Sequence, residues 1–165
     1  MMKNMKCTFF TNEVVYKENM AKSKKHNYKI NGKSITIYGH SPLMINITGI
    51  KSWSDMKTTK TMIEKEYQVK VLQIRVDNVF LSHKGRKNID LNKIYYHVRD
   101  NLREKYFVDY NVELYPGMYL KPKLYGYPTI ILFRTGSYQI MGGKSVDKIV
   151  ESKHFVKELI SKYRK

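Results

Sequence analysis

Two stretches of alternation stand out along this chain. Ile45-Asn46-Ile47-Thr48 and Tyr138-Gln139-Ile140-Met141 each set apolar and other residues in turn, the period-two signature of a strand with one buried face. Each follows another β-rich run, Ser34-Ile35-Thr36-Ile37-Tyr38 in the first case and Thr129-Ile130-Ile131-Leu132-Phe133 in the second. Each leads into glycine, then Lys-Ser, then a helical pattern, so that Ile45 to Ser52 matches Tyr138 to Ser145 at a constant spacing of 93 residues. Strand, turn, strand, glycine and capped helix in the same order point to an internal duplication.

Three helices follow from the 3.6-residue period. After Ser145, the residues Val146, Ile149, Val150, Val156, Leu159, Ile160 and Tyr163 form one stripe, with Ser145 as N-cap and Asp147 suited to the first turn. Its counterpart starts near Ser52 or Ser54 and carries Trp53, Met56, Ile63 and Tyr67. A third lies between the halves on Leu91, Ile94, Tyr95, Val98 and Leu102, capped by Asn88 or Asp90. The long β-branched run Gln68 to Leu81 predicts a strand. Val112 to Leu120 predicts another, interrupted by Pro116-Gly117 and therefore at an edge or bulge. Lys17 to Lys33 is polar and lysine-rich and reads as a loop or a mobile hairpin. Strands precede helices in each half, which is an α+β layout rather than alternating βαβ.

Alternation also assigns the faces. Burying an isoleucine stabilises by about 1.5–3 kcal/mol, so the helices belong on the side of Ile45, Ile47, Tyr138 and Ile140. Asn46, Thr48, Gln139 and Met141 then occupy a second face that no helix covers.

Composition narrows the classes. The 165 residues carry 31 Lys+Arg against 14 Asp+Glu, a net charge of +17. Such a balance attracts polyanions, although the abundance of Lys, Asn, Ile and Tyr also fits an AT-rich genome, which would scatter lysine over every solvated face. No apolar run is long enough to span a membrane, and the N-terminus lacks a secretory apolar stretch, so the chain reads as soluble and intracellular. Cys7 alone can form neither an internal disulfide nor a cysteine-based zinc site. His26, His40, His83, His97 and His154 show no metal spacing, and no cofactor or small-molecule substrate is expected. Gly142-Gly143-Lys144-Ser145 lacks the upstream glycine of a phosphate loop. Asp90, Asp100 and Asp109 form no recognisable carboxylate pair; the chain does not read as an enzyme.

The motifs of the second half resemble those of the TATA-box binding protein (TBP) family. Glu113-Leu114-Tyr115-Pro116-Gly117 is similar to that family's Glu-Leu-Phe-Pro-Gly, and Lys121-Pro122-Lys123 to its Lys-Pro-Lys/Arg. Ile131-Leu132-Phe133, Gly136 and Gly142-x-Lys144 resemble its next strands and turn, and Val76-Asp77-Asn78-Val79 the Ile-Gln-Asn that opens each repeat. The resemblance implies a saddle in two pseudo-repeats: a shortened first one over residues 1–68 and a complete second one over 69–165, forming one structural domain. Helices would cover the convex side of a curved antiparallel sheet. The concave side would enter the minor groove of AT-rich duplex DNA in transcription initiation, with transcription factors or RNA polymerase subunits as partners. Tyr115 and Phe133 fall on the family's phenylalanine pair, whose rigid apolar rings wedge between base steps. Asn78 falls on its central asparagine, able to donate to groove acceptors, and Phe80 on a valine. Gln139 and Met141 replace a Val and a Thr; Asn46 and Thr48 hold the same places in the first half. Phe9, Phe10 and Tyr38 are the candidates for the first-half wedges. The first half shows no opening strand and hence no second asparagine. Divergent members are familiar from large DNA viruses, which the lysine-rich composition suits; such a chain acts in the host nucleus or a cytoplasmic viral factory.

Blander readings stand beside these. Phe133 and Ile131 are core if another layer covers the second face, Tyr115-Pro116-Gly117 is then a strand-ending turn, and Asn78 an edge residue. The same fold could also serve as a protein–protein interaction module with weak or no sequence-specific DNA binding.

Overall fold

The structure is a computed structural model that describes residues 2–12, 25–38 and 43–165. The chain divides into two compact units, Met2–Asn78 and Val79–Lys165.

The first unit holds strands β1 (Met2–Thr11), β2 (Lys25–Ile30), β3 (Lys33–Tyr38) and β4 (Met44–Ile50), then helix α1 (Trp53–Tyr67). The strands lie in the order β2-β3-β4-β1, all antiparallel. The β2–β3 hairpin turns on Asn31 and Gly32 at φ 49° and 74°, the left-handed pair that a two-residue hairpin requires. The predicted loop or hairpin is therefore a hairpin from Lys25 onward; its earlier residues 17–24 lie outside the described residues, as does His40. Helix α1 is capped as expected: the Ser52 hydroxyl accepts the Asp55 N–H at 3.0 Å. Gln68 is not part of a strand. It ends α1 in the left-handed region at φ 51°, and β5 (Val71–His83) starts three residues later.

The structure corrects the expectation that this half lacks an opening strand, because β1 pairs with β4 from Met5 to Phe10. Met5, Cys7 and Phe9 are fully buried on the side of α1, together with Ile35, Ile45, Ile47 and Ile63. Phe9 is therefore core and not a wedge candidate. Burial pushes the Cys7 thiol up to about 12, with the nearby Asp77 carboxylate adding to the effect. Because the thiolate is the reactive form, Cys7 is expected to resist aromatic disulfide reagents at pH 8 and to react fully once urea unfolds the chain. A thiol titration with and without denaturant checks this.

The second unit takes the end of β5 from Val79, then α2 (Leu91–Asn101), β6 (Tyr106–Asp109), β7 (Gly117–Pro122), β8 (Thr129–Phe133), β9 (Tyr138–Gly143) and α3 (Val146–Lys162). Its strand order is β5-β9-β8-β7-β6, again antiparallel. Asp90 caps α2 through the Lys93 N–H. The core joins Ile94 and Val98 of α2, Val156 and Leu159 of α3, and Leu120, Ile130, Leu132 and Ile140 of the sheet.

Three expectations need revision here. Residues 112–116 are not strand: the Asn111 carbonyl accepts the N–H groups of Leu114 and Tyr115 and its side chain accepts that of Glu113, which closes a turn. The strand begins only at Gly117, and a short edge strand, β6, precedes the turn. Ser145 makes no side-chain cap bond. Val146 and Val150 are 39% and 45% exposed, so the buried stripe of α3 runs through Ile149, Ser152, Val156 and Leu159 instead.

The duplication reaches into the backbone. The β1–β4 register slips between Met5, opposite Ile50, and Cys7, opposite Ile47. The β5–β9 register slips between Val79, opposite Gly143, and Phe80, opposite Met141. Ile50 and Gly143 are 93 residues apart, the spacing of the sequence repeat. Next to each slip stands a glycine with positive φ, Gly49 at 94° and Gly142 at 80°. Both halves thus carry a β-bulge at the same place.

Candidate nucleic-acid interface

In each unit the sheet face opposite the helices is built by period two. In the second unit, the cross-strand pairs Phe80–Met141, Thr129–Met141, Ile131–Gln139, Tyr119–Ile131 and Gly117–Phe133 all fall on that face, because their sequence neighbours are in the helix-side core. Ile140, the neighbour of Gln139 and Met141, is fully buried on the helix side, as alternation predicts.

Tyr115 and Phe133 come together. Their ring centroids are 6.1 Å apart in an edge-on arrangement, and Tyr115 also lies 5.4 Å from the Tyr119 ring. Gly117 makes this possible: a Cβ there would come within 2.6 Å of the Tyr115 ring and 2.7 Å of Ile131. Phe133 is half-buried and Tyr115 is 36% exposed, so both rings hold a fixed orientation while keeping surface available. Ile131 is buried on this face and forms the floor beneath them. The Tyr119 hydroxyl sits above its ordinary pKa, first from loss of water and then from the Tyr115 hydroxyl beside it. At the edge strand, Phe107 stands 61% exposed with the Lys123 ammonium 4.7 Å from its ring centre and Lys121 as its cross-strand partner.

The first unit builds a different surface on the same plan. Asn27, Thr36, Asn46 and Thr8 lie in one cross-strand row. Thr36 donates to Asn27 at 2.9 Å and Thr8 is within 2.8 Å of the Asn46 Oδ1. The Thr8 hydroxyl also reaches Asp77, which Arg75 neutralises at 2.7 Å. Thr48 faces Ser34 in the next row. Tyr38 pairs with Met44 as Met44 pairs with Phe10, so Tyr38 and Phe10 share the helix-free face. Thr36 faces Asn46 as Ile131 faces Gln139, which puts Tyr38 in the place of Phe133. The Arg75 guanidinium covers the Phe10 ring at 5.4 Å.

One residue escaped the sequence reading. Met5 and Val79 hold the same bulge position, so Asn4 is the counterpart of Asn78, and both are exposed. Asn4 accepts the Gly49 N–H at 2.9 Å. The signal was present as Asn4-Met5 against Asn78-Val79, but two residues are too few to align without the register. Lysines lie on both sides of the sheets: Lys6 and Lys121 belong to the helix-free faces, whereas Lys57, Lys93 and Lys157 ride exposed on helices. Among the described residues no group of His, Cys, Asp and Glu could hold a metal ion.

The chain is thus a basic α+β protein whose two units repeat one plan, with a pair of rings on the helix-free face of the second. The family model described as transcription factor TFIID, or TATA-binding protein (TBP), matches residues 73–163, more than half of the chain. The chain belongs to the TBP family. Among solved structures it is similar to Methanococcus jannaschii TBP, with 15% identity over 98% of this chain and 97% of that one, at a TM-score of 0.63; at that identity the likeness speaks for the fold, which is TBP-like. No curated protein matches.

Proposed function

We propose that this chain binds duplex DNA in the minor groove through the helix-free faces of its sheets and recruits transcription machinery to the bent site. The observation that carries this reading is the Tyr115–Phe133 pair over Gly117, two rings oriented on a face that no helix of their unit covers. Unstacking a base step costs a few kcal/mol, so a wedge must be apolar and held before DNA arrives, which Gly117 and Ile131 provide. Asn4 and Asn78 supply amide donors for the N3 and O2 acceptors of A·T pairs. Gln139, Met141, Phe80, Asn46, Thr48 and Tyr38 make up the remaining contact surface. The two pseudo-repeats are taken as residues 1–68 and 69–165, while the compact units divide between Asn78 and Val79. The predominance of lysine over arginine supports a source among large DNA viruses, and with it action in the host nucleus or a viral factory.

Affinity for an AT-rich duplex of about 20 base pairs is expected to exceed that for a GC-rich one and to fall steeply with salt. Neutralising about six phosphates costs about a thousandfold between 50 and 200 mM salt. Fluorescence anisotropy across that range tests the reading; no binding at 50 mM salt would sink it.

A second reading is favoured by the first unit. Its helix-free face carries a carboxylate, Asp77, and a row of hydroxyl and amide groups already bonded to one another. Such a face suits a protein partner, with the TBP fold serving as an interaction module. A stoichiometric complex that forms from purified components without DNA, and resists nuclease, supports that alternative.

A further inference from the structure

On the second unit, away from the paired rings, lies a cavity of about 600 Å³. Its walls come from the end of β5, the loop after it, the β8–β9 turn and the last turns of α3. Five cations line it: Lys84, Arg86 and Lys87 from the loop, Lys157 from α3, and Arg164 just past the end of that helix, where it bridges to Ile89. None of its lining residues is acidic. None of the five cations enters an ion pair among the described residues, although Lys165 next door is drawn to Asp90 at 3.8 Å. The C-terminal end of a helix attracts positive charge, which accounts for Arg164. It does not account for the three cations on the facing loop.

The site is also firm. Gly85 donates its N–H to the Ser137 hydroxyl at 2.9 Å and Lys87 donates to the Thr135 carbonyl at 3.2 Å. A Cβ on Gly85 would fall 2.2 Å from the Gly136 backbone, so the loop and the turn are in direct contact. The floor is apolar, made by Tyr138 and Ile160, and His83 stacks on Tyr138 at 5.0 Å. Tyr138 belongs to the helix-side core. The cavity therefore opens on the helix layer, on the opposite side of this sheet from Tyr115 and Phe133.

We propose that this cavity docks an acidic segment of a partner protein, with an apolar side chain of that segment seated on Tyr138 and Ile160. Convergent positive charge around an apolar floor selects a ligand with both properties. A duplex held on the helix-free face cannot reach this side of the sheet, and its phosphates would offer nothing to the floor. The proposal does not depend on DNA binding.

The test uses the full chain and a fluorescein-labelled peptide of about 12 residues, rich in Asp and Glu with one central Leu. Anisotropy is expected to show binding that weakens about tenfold or more in K157E/R164E and in R86E/K87E. The control K57E/K65E on α1 is expected to bind the peptide nearly as the wild type does. Replacing the peptide's Leu by Ser is expected to weaken binding severalfold. The proposal is overturned if the control reversal weakens the peptide as much as the cavity reversals do. It is also overturned if the cavity variants lose duplex and peptide affinity in equal measure, which would make these cations a phosphate track. Displacement of the peptide by pyrophosphate at equal concentration would overturn it too, leaving a small-anion site.

Discussion

Phe133→Ala is expected to lower affinity for an AT-rich duplex by about tenfold or more and to remove most of the bend, because the wedge offsets an unstacking cost of a few kcal/mol per step. The ring is half-buried at the end of β8 and lies edge-on to Tyr115, outside the helix-side core, so the fold should survive its loss. A second variant separates wedge from scaffold. Gly117→Ala keeps both rings but puts a methyl group within 3.0 Å of three side chains, among them Tyr115 and Phe133. The rings must then turn, and bending is expected to fall while apolar surface is retained. Energy transfer between dyes at the two ends of the duplex reads the bend. Unchanged transfer with Phe133→Ala would return the ring to the role of a surface-lying core residue.

Ile140→Ala should destabilise the chain by about 3 kcal/mol, within the usual range for truncating a large aliphatic residue in a packed core. Native stability is typically only 5–15 kcal/mol, so the loss is large. Ile140 is fully buried among Leu132, Val156 and their neighbours. Its neighbour Gln139 points the other way and meets Ile131 across the strands; Gln139→Ala should cost less than about 1 kcal/mol. Urea unfolding of the two variants side by side tests the face assignment. Equal losses would mean that the helix-free face is as deeply packed as the helix-covered one.

The residues that announced themselves in the sequence are those held by a single strong rule. Ile45, Ile47 and Ile140 obey period two because one face must leave water, and the structure places them under helices. Ser52 and Asp90 cap where they should, since a helix start leaves N–H groups that a side-chain oxygen satisfies locally. What stayed hidden depends on partners far along the chain. Strand β1 alternates Met5, Cys7 and Phe9 with Lys6 and Thr8, but Phe10 blurs the pattern, and only pairing with β4 identifies the strand. Strand β6 is an edge, and its exposed Phe107 makes Tyr106-Phe107-Val108 look like an undivided apolar run. Pro116 suggested an interrupted strand where Asn111 in fact closes a turn. Val146 and Val150 continue a helical stripe that runs past the sheet beneath. Tyr115 and Phe133 were legible as a pair through the family motif, whereas the glycine that lets them meet shows its purpose only when a methyl group is placed on it.

The matched slips at Met5/Cys7 and Val79/Phe80 outlasted most of the side chains around them. Lys6 and Phe80 share almost no chemistry, nor do Ile50 and Gly143, yet the hydrogen-bond ladder skips at both places. Bulges are retained as designed features of a fold, and here the pair is kept where the residue identities differ. Lone copies of this building block elsewhere would be found sooner by searching for a skipped rung beside a left-handed glycine than by searching for a consensus of amino acids.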